Sequence, residues 1–168
     1  ANLGNNRLFS NANASESGIE VLADLTFELS NRQLGALIAL ERDVPLAPWM
    51  ENGVEIDGIL SSELVVSIFH SRTPLHDGGL IIRNNRVLAA ACIFPVTDRT
   101  DISRSLGMRH RAALGLAEET DAVLIVVSEE TGTVSLCHRG VLESGFEPAT
   151  LRSRLAELLS ISTDENHS

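Results

Sequence analysis

Lysine is absent from this sequence: all 13 basic side chains among its 168 residues are arginines. That absence excludes a Walker A phosphate loop, a kinase-type ATP lysine and Schiff-base catalysis, each of which turns on one lysine amine. Tyrosine is absent too, which removes any phenolic acid or nucleophile. Cysteine is scarce. Cys92 and Cys137 lie far apart in the chain, without the C-x-x-C spacing of a zinc or redox site. Both sit in apolar runs and read as core thiols of a reducing compartment. Long hydrophobic runs are missing as well. The longest, Val87–Phe94, has eight residues, where a membrane span needs about 20. No signal peptide is recognisable, and the first residue is Ala rather than Met, as in a chain trimmed from a longer one. Positive charge is in deficit, 13 basic against 23 acidic groups for a net charge of −10. That deficit argues against non-specific nucleic-acid binding, which needs a basic surface to displace counterions.

What is present describes one ordinary domain. The length suits a single core, and 43% apolar with 21% charged residues is a globular composition. Ser17 and Glu20 form a capping box, and Ile19, Leu22, Leu25 and Leu29 follow at helical spacing, predicting a helix over 17–31. Leu34–Leu40 is apolar enough for a buried strand, and Pro45, Pro48 and Gly53 make 42–53 a loop. Ser61-Ser62-Glu63 opens a helix over Leu64–Phe69. Strands over Leu80–Arg83 and Arg86–Phe94 flank the turn residues Asn84-Asn85. A polar loop spans 95–106, and a helix is predicted over Arg109–Glu119. A second hairpin joins Ala122–Ser128 to Thr133–His138, and Pro148 starts a last helix ending near Leu159. The economical reading is α/β: a single domain over 17–160 with a central mixed β-sheet flanked by helices. Residues 1–16, rich in Asn, Ala and Ser, read as a flexible tether, and 161–168 as a flexible tail.

Three polar clusters interrupt the apolar strands. Thr73-Pro74-Leu75-His76-Asp77-Gly78-Gly79 lies just ahead of a strand. Paired glycines let backbone approach a ligand, and an aspartate there can hold a divalent metal. The same residues also describe a plain Asp-Gly turn. The His-Asp pair is shared with HD-type phosphohydrolases, whose ligands sit on helices instead. Gly107-Met108-Arg109-His110-Arg111 opens a helix with three potentially cationic groups in its first turn, where the dipole favours negative charge. An anion held by N-terminal amides and arginine forks resolves that conflict; a solvated basic patch is the plain alternative. Glu118, Glu119 and Asp121 oppose the dipole equally at the other end. Ser128-Glu129-Glu130-Thr131-Gly132-Thr133 offers two carboxylates beside hydroxyls, or simply a hairpin turn.

Taken in order, His76-Asp77-Gly78-Gly79, Gly107-Met108-Arg109-His110-Arg111-Ala112-Ala113 and Val127-Ser128-Glu129-Glu130-Thr131-Gly132 resemble the signature blocks of the diadenylate cyclase domain. The resemblance spans roughly Gly18 to Leu159 and takes in Ser62-Glu63-Leu64 and Thr73-Pro74-Leu75. Leu3-Gly4 to Ser10 and Leu34-Gly35-Ala36-Leu37 are most similar to the membrane-anchored branch, in which transmembrane helices precede the domain.

The resemblance implies condensation of two ATP into cyclic di-AMP with release of two pyrophosphates, each 3′-hydroxyl attacking the α-phosphorus of the opposite ATP. It assigns catalysis to Asp77, Arg109, His110 and Arg111. Asp77 would act through Mg²⁺ or Mn²⁺, with His76 and Glu130 as further metal ligands and Glu129 beside them. Arg109, His110, Arg111 and Ser128 would hold the triphosphate, and Gly78, Gly79, Ile93, Phe94 and Met108 would border the nucleotide. Two positions depart from the family pattern, which usually has alanine at Gly79 and threonine at Met108; a methyl and a hydroxyl are lost. The partners implied are ATP and a second copy of the chain, in a face-to-face homodimer weakened by the net charge of −10. No nucleic-acid polymer is implied. The domain would lie in the cytoplasm, attached to the cell membrane through helices ahead of residue 1. The alternative is a catalytically silent nucleotide sensor that keeps the arginine site without turnover.

Overall fold

A computed structural model describes the backbone of residues 3–165 and the side chains of residues 16–159. In chain order the elements are α1 (Leu3–Asn31), β1 (Ala36–Leu40), α2 (Ala47–Met50), β2 (Val54–Ile59), α3 (Ser62–Phe69), β3 (Gly79–Arg83), β4 (Arg86–Cys92), α4 (Met108–Glu119), β5 (Val123–Val127), β6 (Val134–His138), β7 (Val141–Ser144) and α5 (Pro148–Glu165). The seven strands form one sheet in the order β2-β4-β3-β1-β5-β6-β7. β1 pairs in parallel with β3 and antiparallel with β5, so the mixed character arises at the centre.

Every residue of β1 and β5 is buried, and successive side chains alternate between two cores. Ile38 and Ile125 join Leu25 and Leu29 of α1, Phe69 of α3 and Leu155 of α5 on one face. Leu37, Leu124 and Val126 meet Leu114 and Leu116 of α4 on the other. Coverage on both faces is why these strands read as unbroken apolar runs. Two of the three acids that oppose the α4 dipole find tertiary donors. Glu118 accepts the Thr97 hydroxyl at 2.6 Å, and Asp121 accepts the amides of Asp43 and Val44, each at 3.0 Å.

Several boundaries differ from expectation for local reasons. α1 begins at Leu3, so Ser17 is a mid-helix residue rather than a cap, and 3–16, expected as a tether, has helical backbone. α5 continues to Glu165; residues 1–2 and 166–168 of the expected tether and tail lie outside the described residues. β4 ends at Cys92 rather than Phe94, and Ala91, at φ 54°, lies in a bulge just before that end, where the register shifts between Gly79 and Ile81. The short α2 lies inside the expected 42–53 loop. β2 and β7 are edge strands absent from the sequence reading. β2 bulges between Glu55 and Gly58, with Asp57 at φ 49°, which erases its alternation. Among the described residues, no helix is long and apolar enough to cross a membrane.

Candidate active site

The register gathers the three polar clusters. Ala36 lies opposite Val127 and Gly79 opposite Cys92. The starts of β1 and β3 and the ends of β4 and β5 therefore share one end of the sheet. A cavity of about 610 Å³ opens there, between these strand ends and the N-terminus of α4. His76, Asp77 and Gly78 line it from the loop before β3, Ile93 and Phe94 from the segment after β4, and Met108, Arg109 and His110 from the first turn of α4. Ser128, Glu129 and Glu130 close it beyond β5. Sequence reasoning missed Leu37, Val96, Ser105 and Ala112 as wall residues, and took Cys92 only for core. Nothing in their local sequence separates a wall residue from an ordinary core or loop residue.

Gly79 and Arg111 do not line the cavity. The Phe94 ring fills the space in which a Gly79 side chain would stand, so this glycine answers to a neighbouring side chain. Gly78 has φ 91°, and a Cβ there would come within 2.7 Å of the Cys92 carbonyl oxygen. Gly78 is thus required by the β4 backbone whatever it does for a ligand. Arg111 donates from Nε to the Leu106 carbonyl at 3.2 Å, while its own carbonyl accepts the Thr97 amide at 3.0 Å. It ties the loop over 95–106 to α4.

Of the expected cationic trio, Arg109 brings a permanent charge to the wall. Its side chain is 25% exposed, and Nη1 stands 3.6 Å from Glu129 Oε2. Burial, and then the Arg109 charge, pull the His110 imidazole below its usual range, so it is neutral at pH 7.5 and offers hydrogen bonding rather than charge. Gly107 caps α4 with no side-chain hydrogen bond, which leaves the first-turn amides for an anion. Ile93 and Met108, each 67% exposed, and Val96 form an apolar rim.

His76 Nδ1 donates to the Thr73 carbonyl at 2.7 Å, which leaves Nε2 with its lone pair in the neutral ring. That Nε2 stands 3.5 Å from Asp77 Oδ1. Glu130 lines the same cavity, yet no three-membered His, Cys, Asp or Glu cluster able to hold a metal exists among the described residues. The Asp77 carboxylate is the donor that fits Mg²⁺ or Mn²⁺, ordinarily held by one or two carboxylates together with substrate phosphates. The site does not form a closed protein cage.

Burial pushes the Cys92 thiol up to about 11 and Cys137 up to about 12, in keeping with inert core thiols. His138 is lowered like His110, by burial first and then by Arg42. For both histidines the unfolded chain binds more protons than the native state between the ordinary value of 6.5 and the lowered one. Their stabilising contribution is therefore complete above about pH 6.5 and is lost as pH falls through that window. The urea midpoint is expected to be lower at pH 5.5 than at pH 7.5. Equal midpoints would contradict these half-buried neutral imidazoles.

Residues 24–142 match the model of the family described as DAC, DisA bacterial checkpoint controller nucleotide-binding. The chain belongs to this family. It is 40% identical over 158 residues to the cyclic di-AMP synthase CdaA of Bacillus subtilis, covering 91% of this chain and 58% of that protein. The chain spans about half the length of the curated relatives it matches. Among solved structures, a double mutant of DacA from Staphylococcus aureus superposes with a TM-score of 0.81 at 38% identity, over 84% of this chain and 94% of that one. A protein of Bacillus cereus described as hypothetical and membrane spanning gives 0.73 at 40% identity, over 76% of this chain and 62% of that one.

Proposed function

We propose that this chain is a diadenylate cyclase domain, condensing two ATP into cyclic di-AMP and two pyrophosphates. The observation that carries the reading is the convergence of the loop 76–78, the first turn of α4 and the segment 128–130 on one cavity. The cyclic di-AMP synthase among its relatives supports it. Arg109 and the uncapped first-turn amides of α4 bind the triphosphate, with Ser128 and the neutral His110 adding hydrogen bonds. Leu37, Phe94 and Val127 provide apolar wall for the nucleoside. Arg111 acts at one remove, by holding the loop at Leu106.

Asp77, with His76 beside it, would hold Mg²⁺ or Mn²⁺ together with the phosphates of the substrate, and Glu130 lies on the wall of the same cavity. When bound, the ion lowers the pKa of the 3′-hydroxyl and neutralises phosphate charge. The Asp77 side chain is 87% exposed, so its carboxylate is presented outward, where a second nucleotide can meet it. One chain carries one copy of each cluster and so holds one ATP. Joining two equivalent nucleotides by two equivalent bonds calls for two sites facing each other across a twofold axis. In each half-reaction a 3′-oxygen–phosphorus bond forms and the bond to the departing pyrophosphate breaks. In the full-length protein, attachment to the cytoplasmic face of a membrane would raise the local concentration of facing copies. The membrane-spanning B. cereus relative is in keeping with that arrangement.

Initial rates of cyclic di-AMP formation across a protein dilution series, with sedimentation reporting the assembly state, test the facing arrangement. Specific activity is expected to rise with protein concentration as dimer forms. Constant specific activity from a species that stays monomeric would contradict it. For the phosphate contact, Arg109→Ala is expected to weaken ATP binding about tenfold or more, the loss for one charge-assisted partner. Unchanged affinity by calorimetry would remove Arg109 from the phosphate site.

A further inference from the structure

The structure assigns to Gly35 a positioning role: its bare backbone is the seat on which the Arg109 guanidinium rests. This inference is built on the reading of Arg109 as the phosphate-binding arginine. A Cβ placed on Gly35 would stand 2.5 Å from Arg109 Nη1, 2.6 Å from Cζ and 3.0 Å from Nη2. The fork thus occupies the volume that any other residue would claim. Gly35 is not among the positive-φ residues, so backbone freedom does not account for a glycine here; the arginine does. The same Nη1 stands 3.6 Å from Glu129 Oε2. The same corner between α1 and β1 also steadies that acidic turn. Gln33 Nε2 donates to the Glu130 carbonyl at 3.2 Å, and Ser30 Oγ donates to the Gly132 carbonyl at 2.5 Å. One short connection therefore sets both the cation and its carboxylate neighbour.

A methyl at Gly35 would collide with the far end of a flexible side chain rather than with backbone. The cheap relief is rotation of Arg109 away from its seat, with the fold kept. Gly35→Ala should then melt within a few degrees of the parent, a change of about 1 kcal/mol or less in a domain of this size. Its Kd and KM for ATP should rise about tenfold, as for any displaced charge-assisted contact, with kcat changed less than KM.

A double-mutant cycle separates positioning from general damage, because residues acting through one contact are not additive. The four proteins are the parent, Gly35→Ala, Arg109→Ala and the double variant, each measured for ATP binding by calorimetry and for melting temperature. The inference expects both single variants to weaken binding and the double variant to bind no worse than Arg109→Ala alone. If Arg109→Ala weakens binding while Gly35→Ala does not, the positioning role is wrong and the phosphate role of Arg109 stands. A Gly35→Ala loss that persists in full on the Arg109→Ala background would overturn the inference in favour of a purely structural glycine. A large drop in melting temperature with Gly35→Ala would overturn it too, since the backbone would then have failed to tolerate the methyl. If Arg109→Ala itself binds ATP normally, the reading of the phosphate site fails and takes this inference with it.

Discussion

Asp77→Asn is expected to lower cyclic di-AMP synthesis by about a thousandfold or more, since metal-ion catalysis supplies several kcal/mol and each 1.36 kcal/mol is tenfold in rate. The substitution keeps the shape of the side chain and removes its charge, and with the charge its capacity to hold a divalent ion. Little else depends on the carboxylate. It is 87% exposed, and its neighbour in the structure is His76 Nε2 at 3.5 Å. Stability should accordingly stay within about 0.5 kcal/mol of the parent. ATP binding should survive in large part, because Arg109 and the α4 amides lie elsewhere on the cavity wall. Rapid product formation by Asp77→Asn would remove the carboxylate from the mechanism. Loss of ATP binding along with turnover would show that Asp77 serves affinity rather than chemistry.

Gly115→Ala should destabilise the protein by about 3 kcal/mol, at the upper end of what overpacking costs. Helix propensity alone predicts the opposite sign, since alanine exceeds glycine by about 1 kcal/mol within a helix. Packing decides. A Cβ on Gly115 would overlap the Pro95 carbonyl, with the Pro95 carbonyl carbon at 2.5 Å and the Thr97 amide nitrogen at 3.0 Å. These are backbone atoms. The segment they belong to is fixed by the Thr97 amide donating to the Arg111 carbonyl at 3.0 Å. Either α4 or the 95–97 segment must give way, and both border the cavity. With a urea m-value of about 2–3 kcal/mol/M, the midpoint should fall by about 1 M or more. An unchanged or raised midpoint would contradict this packing.

How far the sequence discloses these features depends on whether their causes are local. β1 and β5 are legible because burial on both faces leaves no polar residue to interrupt them. The Asn84-Asn85 turn is legible because Asn84 adopts φ 55°, a conformation asparagine tolerates. The three polar clusters are legible as blocks, and most of their residues line one cavity. β2 escaped because a bulge breaks its period, and β7 because it is a short edge strand with no fully buried residue. Arg111 and Gly79 show a different limit. Their spacing places them beside the site, but whether a side chain faces the cavity is decided by the Leu106 carbonyl and the Phe94 ring, which lie elsewhere in the chain. Gly35 is the plainest instance: a glycine before a strand carries no mark of the arginine that fills its side-chain space.

The most direct test of the function is to incubate the protein with ATP and Mg²⁺ or Mn²⁺ and separate the nucleotides by ion-exchange chromatography with mass detection. The account predicts cyclic di-AMP, with two pyrophosphates released for each molecule formed. Recovery of unchanged ATP from protein that binds it would mark a silent sensor, and accumulation of ADP or AMP a hydrolase; either result would contradict the cyclase.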